Sequence, residues 1–160
     1  MENVRPIPRG FHTVNPHLVV KDGQRAVDFY VKAFNAEVIH KIYTPDGKLM
    51  HAELKIGDSI IMLADEFTPE PSQEENRIRS PETLNGSTVN FYLYVKDVDE
   101  FFNNAVEKGA SAVMPVADMF WGDRFGQLKD PFGHFWGVAT HIEDLSPAEM
   151  EERASQFAMK

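Results

Sequence analysis

Glu53 and His51 stand two residues apart in the run LMHAELKI, and His17 opens the β-branched run HLVV. Residues two apart in a strand project to one face, so this spacing sets a carboxylate beside an imidazole. Such a pair can hold and pass a proton near neutral pH, with Glu53 as base and His51 or His17 as its partner. The same parity joins Asn15 to His17, and Asn90 to Tyr92 and Tyr94 in VNFYLY. These seven side chains form a polar, aromatic set of the kind that lines small-molecule sites. Purely structural histidines, satisfied by their neighbours, fit the spacing equally well.

Two further clusters invite a chemical reading. MFWGDRFG, residues 119–126, puts Trp121, Asp123 and Arg124 on a glycine-punctuated connection. An aromatic and a guanidinium on a loop are common ligand contacts, so Trp121 and Arg124 join Asn15, Asn90, Tyr92 and Tyr94 as candidate binding residues. The alternative is that Asp123 and Arg124 stabilise the loop or a subunit contact. DPFGHFWGVATH, residues 130–141, carries two of the six histidines and one of the two tryptophans. Asp130, Pro131 and Gly133 follow the order of a type I turn. His134 and Trp136 then share a parity opposite to Phe135 and Gly137 and are predicted to face the helix-covered side.

The elements that must position these residues come as a repeat. VNPHLVVKD, residues 14–22, recurs as VNFYLYVKD, residues 89–97. Each copy reads as a short strand delivering an Asp to a helix N-cap. Ala26, Val27, Tyr30 and Phe34 follow helical spacing after the first copy, with Asn35 as the stop. Val98, Phe101, Phe102 and Ala105 do so after the second, with Glu100 completing a capping box and Gly109 as the stop. Three strand-like runs follow each helix, and VADMFWGD is predicted to connect the first two in the second copy. The expected fold is α+β. An arm at 1–13 precedes a β-α-β-β-β module at 14–64, a linker rich in Pro, Glu and Ser at 65–88, and a second such module at 89–141. Ser146, Pro147 and Glu149 start a closing helix within 142–160, whose apolar stripe should dock on the body or on a second subunit.

Composition narrows the partners. A chain of 160 residues, 42% hydrophobic and 26% charged, fits one domain or two fused half-domains. Its formal charge of −9, without a basic stripe, disfavours nucleic acid. It has no cysteine, which removes disulfides and thiolate chemistry and agrees with a reducing cytoplasm. No run is long enough to span a membrane, and MENVRPIPRGF lacks the order of a signal peptide, so a cytoplasmic protein is expected. Open strands and an amphipathic helix lead us to expect a homodimer.

The tandem modules, with HLVVKDGQRAVDFYVKAF, HAELKIGDSIIMLADE, FWGDRFGQLKDPFGHFW and ATHIEDLSPAEM, resemble the vicinal oxygen chelate superfamily. That superfamily includes glyoxalase I, extradiol dioxygenases and the bleomycin- and fosfomycin-resistance proteins. The motifs are most similar to its PhnB-like, glyoxalase-related branch. The resemblance implies that the strands of each module curl into a cup-shaped sheet and that a small molecule is bound there. Metal-dependent members draw their ligands from positions that align here with Asn15, Glu53, Asn90 and Gly137. One carboxylate and two amides make a weak donor set, so no metal and no other cofactor is expected unless His17 and His51 join Glu53 in a relocated site. Two functions are implied. One is sequestration of a drug or metabolite, as in bleomycin-resistance proteins, where aromatics and negative charge hold a cation. The other is a lyase or isomerase step on a small carbonyl or thioether substrate, with Glu53 as base.

Overall fold

The computed structural model describes residues 4–67 and 77–158, which divide between two compact units, Met1–Ser87 and Thr88–Lys160. In the first, β1 (His17–Val20) leads into α1 (Gly23–Phe34), then β2 (Glu37–Tyr43), β3 (Leu49–Ile56) and β4 (Ser59–Asp65). The Asp22 side chain caps α1 by accepting from Arg25 N, and Asn35 ends it in the left-handed conformation, as the sequence predicts. The four strands form one open mixed sheet in the order β1-β4-β3-β2, with β1 parallel to β4. Leu18, Val20, Ala52, Leu54 and Leu63 are buried on the face that α1 covers with Ala26, Val27, Tyr30 and Phe34. The opposite face carries His17, His51 and Glu53.

The stretch expected as a linker contributes structure of its own. Asp65 is the last residue of β4, and its carboxylate accepts from Gly23 N and Leu49 N, each at 2.6 Å. A one-turn helix, α2 (Pro81–Leu84), is capped by the buried Ser80. Glu66 accepts from Ser80 N at 3.0 Å, Ser80 Oγ at 2.6 Å and Thr83 Oγ1 at 2.7 Å, so one carboxylate ties the end of the sheet to the start of α2. The centre of the expected linker, 68–76, lies outside the described residues.

The second unit repeats the order: β5 (Asn90–Tyr94), α3 (Val98–Glu107), β6 (Ser111–Asp118), β7 (Asp123–Lys129) and β8 (Phe135–His141), in a sheet ordered β5-β8-β7-β6. The repeat is legible in the pairing: His17 lies opposite Met62 and the matching Tyr92 opposite Gly137, each across the parallel pair of its sheet. Asn90 is the first residue of β5, whereas Asn15 precedes β1 by two residues. Trp136, Val138 and Leu128 are buried on the α3 side with Phe102 and Ala105, matching the parity predicted for Trp136.

The connection predicted over VADMFWGD is shorter than expected. β6 continues to Asp118 and β7 starts at Asp123, leaving only residues 119–122 as the turn. Pro115 sits where the ladder slips between Met114 and Ala117, and this bulge breaks the alternation that would have revealed the strand. In the DPFG turn, Asp130 N donates to His134 O at 2.9 Å and Gly133 takes φ +93°, a conformation that suits glycine. The C-terminal helix α4 (Pro147–Ala158) starts with the predicted Ser146–Glu149 capping box. It docks on its own unit through two 2.7 Å bonds from Arg153 to Glu143 and a Phe157–Phe120 ring contact at 5.3 Å.

Candidate functional site

On the second sheet, the face opposite α3 carries Asn90, Tyr92 and Tyr94 from β5, Gly137 and His141 from β8, and Asp123 and Phe125 from β7, all of one parity by strand register. Asp123 is only 2% exposed. Its Oδ2 accepts from the Tyr92 hydroxyl at 3.0 Å, the Tyr94 hydroxyl at 3.0 Å and the Trp121 indole N–H at 3.2 Å. Its Oδ1 meets His141 Nδ1 at 2.9 Å, and His141 Nε2 meets Asp144 Oδ1 at 3.0 Å. Four donors thus converge on one buried carboxylate. Phe125 packs under them, stacked on Tyr92 with centroids 5.3 Å apart and edge-on to Trp121 at 5.7 Å.

The electrostatics follow from this geometry. Burial pushes the Asp123 carboxyl up, but the hydrogen bonds from His141, Tyr92, Tyr94 and Trp121 outweigh it and hold the group below its ordinary value. Hydrogen bonds to Asp144 and Asp123 raise His141. Burial, reinforced by Asp123, pushes both tyrosines up, so their hydroxyl protons stay in place.

Arg124, expected to contact ligand beside Trp121, projects instead to the α3 side of β7, while Trp121 in the preceding turn bonds Asp123. It binds Asp99 at the start of α3 through Nε at 2.6 Å and Nη2 at 2.7 Å, and Asp118 through Nη1 at 2.8 Å. It braces β7 against α3 and the end of β6, a structural role other than the loop or subunit contact weighed above. Asp123, grouped with Arg124 on the sequence, heads the other face.

On the first sheet the structure brings together His17, His51 and Glu53. His51 Nε2 lies 3.4 Å from Glu53 Oε1, and the His17 and His51 ring centroids are 6.1 Å apart. Burial, with the neighbouring His51 charge, lowers His17. Asn15 stands apart from them. Its carboxamide accepts from His12 N at 2.9 Å and donates to His12 O at 2.6 Å, closing a turn ahead of β1.

This chain matches the Glyoxalase/Bleomycin resistance protein/Dioxygenase superfamily over residues 10–138. It belongs to that superfamily. Uncharacterized proteins of Mycobacterium bovis (Mb0911c) and Mycobacterium tuberculosis (Rv0887c) are 39% identical to it over 142 residues, covering 89% of this chain and 91% and 82% of theirs. The crystal structure of TioX from Micromonospora sp. ML1 is similar at 27% identity and a TM-score of 0.61, covering 81% of this chain and 99% of that one. A PhnB protein from Bacillus cereus shares the fold at 17% identity and a TM-score of 0.59, covering 81% and 99%.

Superfamily membership raises the question of a metal, and the aligned residues do not fit one. Both polar atoms of the Asn15 carboxamide are engaged by His12, and Asn90 accepts from Gln127 at 3.4 Å. At Gly137 two rings close in: a Cβ there would lie 2.7 Å from Phe125 Cε2 and 3.1 Å from Tyr92 Cδ2. Among the described residues, no three His, Asp or Glu side chains are grouped to hold a metal ion, the His17–His51–Glu53 set included. A carboxylate restored at position 137 would displace the aromatic stack rather than complete a ligand set. Accordingly Gly137→Ala should lower the unfolding free energy by about 2 kcal/mol through overpacking. Urea denaturation measures this, and a neutral substitution would show that the rings yield freely.

Asp123 and His141 were the site residues least visible in the sequence. His141 shares the parity of Gly137, which signals its face. Its partner emerges only from the long-range pairing of Asp123 with His141.

Proposed function

We propose that this protein binds a small molecule on the open face of its second sheet, against Tyr92, Tyr94 and Trp121, and that the metal ligation of glyoxalase I has been lost. One observation carries the reading: a single buried carboxylate fixes three aromatic side chains that do not close a core. Burying a carboxylate is costly unless it is fully hydrogen-bonded. Here the result is oriented rings, with Tyr92 still 41% and Tyr94 65% exposed. Rigid aromatics with a polar edge give contact area at low entropic cost. Asp123 is buried with both oxygens engaged by donors, so its charge acts inward on the platform.

A thermal-shift screen of metabolites and drugs against the wild type and Tyr94→Ala tests this. Hits should raise the wild-type Tm and lose most of that effect in the variant. A screen with no hit, or hits indifferent to Tyr94, would sink the reading.

The His51–Glu53 pair supports a second reading, a lyase or isomerase using Glu53 as base on a small carbonyl or thioether substrate. Glu53→Gln would abolish turnover under this reading and leave simple sequestration nearly intact.

We also place the protein in the cytoplasm as a homodimer. Every residue of the edge strand β2 is exposed, including Val38, Ile39, Ile42 and Tyr43. An apolar edge of this kind is ordinarily covered by a partner. Light scattering should report a dimer at micromolar concentration, and a monomer would count against it. No helix among the described residues is long and apolar enough to cross a membrane.

A further inference from the structure

We propose that His141, held by Asp123, is the anchor for a carboxylate on the ligand, and that Asp144 occupies that carboxylate's place when no ligand is bound. The inference rests on reading the second sheet's open face as a small-molecule site, and it names the ligand's chemistry.

The protonation state follows from geometry. Both ring nitrogens of His141 lie within hydrogen-bond distance of a carboxylate oxygen, Nδ1 at 2.9 Å and Nε2 at 3.0 Å. Ionised carboxylates only accept, so this double contact favours a proton on each nitrogen, the imidazolium form. Its two partners differ in kind. Asp123 is buried and pinned by three other donors, so the Nδ1 bond fixes the orientation of the ring. The Asp144 side chain is fully exposed and sits in the irregular segment between β8 and α4. Water readily replaces such a partner, and so can a ligand. One nitrogen is therefore anchored while the other presents a charge-assisted donor to whatever carboxylate reaches it.

The surroundings select what else the ligand must have. His141, Tyr92, Tyr94 and Trp121 all bond the same carboxylate, so the ring that presents Nε2 belongs to the same cluster as the aromatic platform. Both tyrosine protons and the indole proton point inward at Asp123. Outward, the platform offers ring surface and hydroxyl lone pairs. A carboxylate joined to a flat apolar body matches both parts.

Charge permits this. The charged and titratable groups facing His141 are Asp123 with its bonded tyrosines on one side and Asp144 on the other, and the adjacent Glu143 is neutralised by Arg153. The His141–Asp123 pair is neutral, and Asp144 already shows that a carboxylate is accommodated. The chain's charge of −9 disfavours approach from a distance, an effect screened beyond about 8 Å at physiological ionic strength. Because the hydrogen bonds raise His141, anion binding should hold below its raised pKa and fade as pH climbs through it.

The test follows the His141 imidazole resonances and the Trp121 indole by NMR while sodium benzoate or neutral benzamide is titrated into wild type, Asp144→Ala and His141→Gln. Asp144 is fully exposed, so its removal leaves the fold intact. Without the internal competitor, Asp144→Ala should bind benzoate roughly fivefold more tightly. His141→Gln should lose the preference for benzoate over benzamide. If benzoate shifts Trp121 with equal affinity in all three proteins, the face binds small molecules but His141 is not the anchor, and this inference falls alone. If neither compound perturbs Trp121 in any of the three, or His141 in the two that retain it, at millimolar concentration, the small-molecule reading of this face is overturned and the inference with it.

Discussion

Asp130→Ala should lower the unfolding free energy by about 4 kcal/mol, with ligand affinity per folded molecule unchanged. The Asp130 carboxylate accepts from Phe132 N at 2.9 Å, His134 N at 2.9 Å and Trp136 Nε1 at 2.8 Å. All four residues are well buried or lie in the turn itself, and Trp136 is 1% exposed. Removing the acceptor strands three donors that water cannot easily reach, each costing roughly 1–3 kcal/mol before relaxation. Gly133→Ala acts on the same turn only through its φ of +93° and should cost about 1 kcal/mol. The contrast separates the carboxylate's bonding from the turn's backbone. Urea titration of both variants supplies the numbers. A loss below about 1 kcal/mol for Asp130→Ala would mean that the buried donors find other acceptors. A folded variant without ligand affinity would mean that the DPFG turn belongs to the site and not to its scaffold.

How far the sequence could be read depended on whether the signal was local. The DPFG turn and the Asp22 and Asp97 caps are local, because a few consecutive residues carry the whole geometry. The repeat then transfers one module's order to the other, and strand parity suffices to bury Trp136. The threefold bonding of Asp130 is compatible with that local pattern but not implied by it. The site needed more. Asp123 and Arg124 could be given opposite faces only once β7 was known to start at Asp123, and the Pro115 bulge hides where β6 ends. Asn15 looked equivalent to Asn90 because each stands second in its copy of the repeat. Its exchange of hydrogen bonds with His12 takes it out of the strand. The Asp123–His141 pair depends on the β7–β8 register, which joins positions 18 apart in the chain. Local periodicity carries no information at that range.

Asp123 should therefore show the second large effect, and the pH dependence of stability makes it separable from a simple packing loss. Asp123→Ala removes the acceptor of four donors. Because Tyr94 and His141 can turn to water, the cost should be about 3 kcal/mol, below that of Asp130→Ala, while ligand binding on this face is lost. The Asp123 carboxyl is held below its ordinary 3.8 in the fold, so its contribution is present above that value and disappears as pH falls through the depressed one. His141 is raised above its ordinary 6.5, so its contribution is fully present below 6.5 and is lost as pH rises through the folded value. The network should thus stabilise the fold most between those two ordinary values and less on either side. His141→Gln should remove this network's part of the alkaline slope and shrink its part of the acid one, because the His141 hydrogen bond is the largest of the four that hold the Asp123 carboxyl down. Asp123→Asn should remove this network's part of the acid slope and shrink the alkaline slope as well, because His141 then keeps only the exposed Asp144. Thermal denaturation across pH 3 to 9 of the three proteins reads these slopes. If His141→Gln left the alkaline slope as it is in the wild type, the imidazolium between Asp123 and Asp144 would not be the state that the fold maintains.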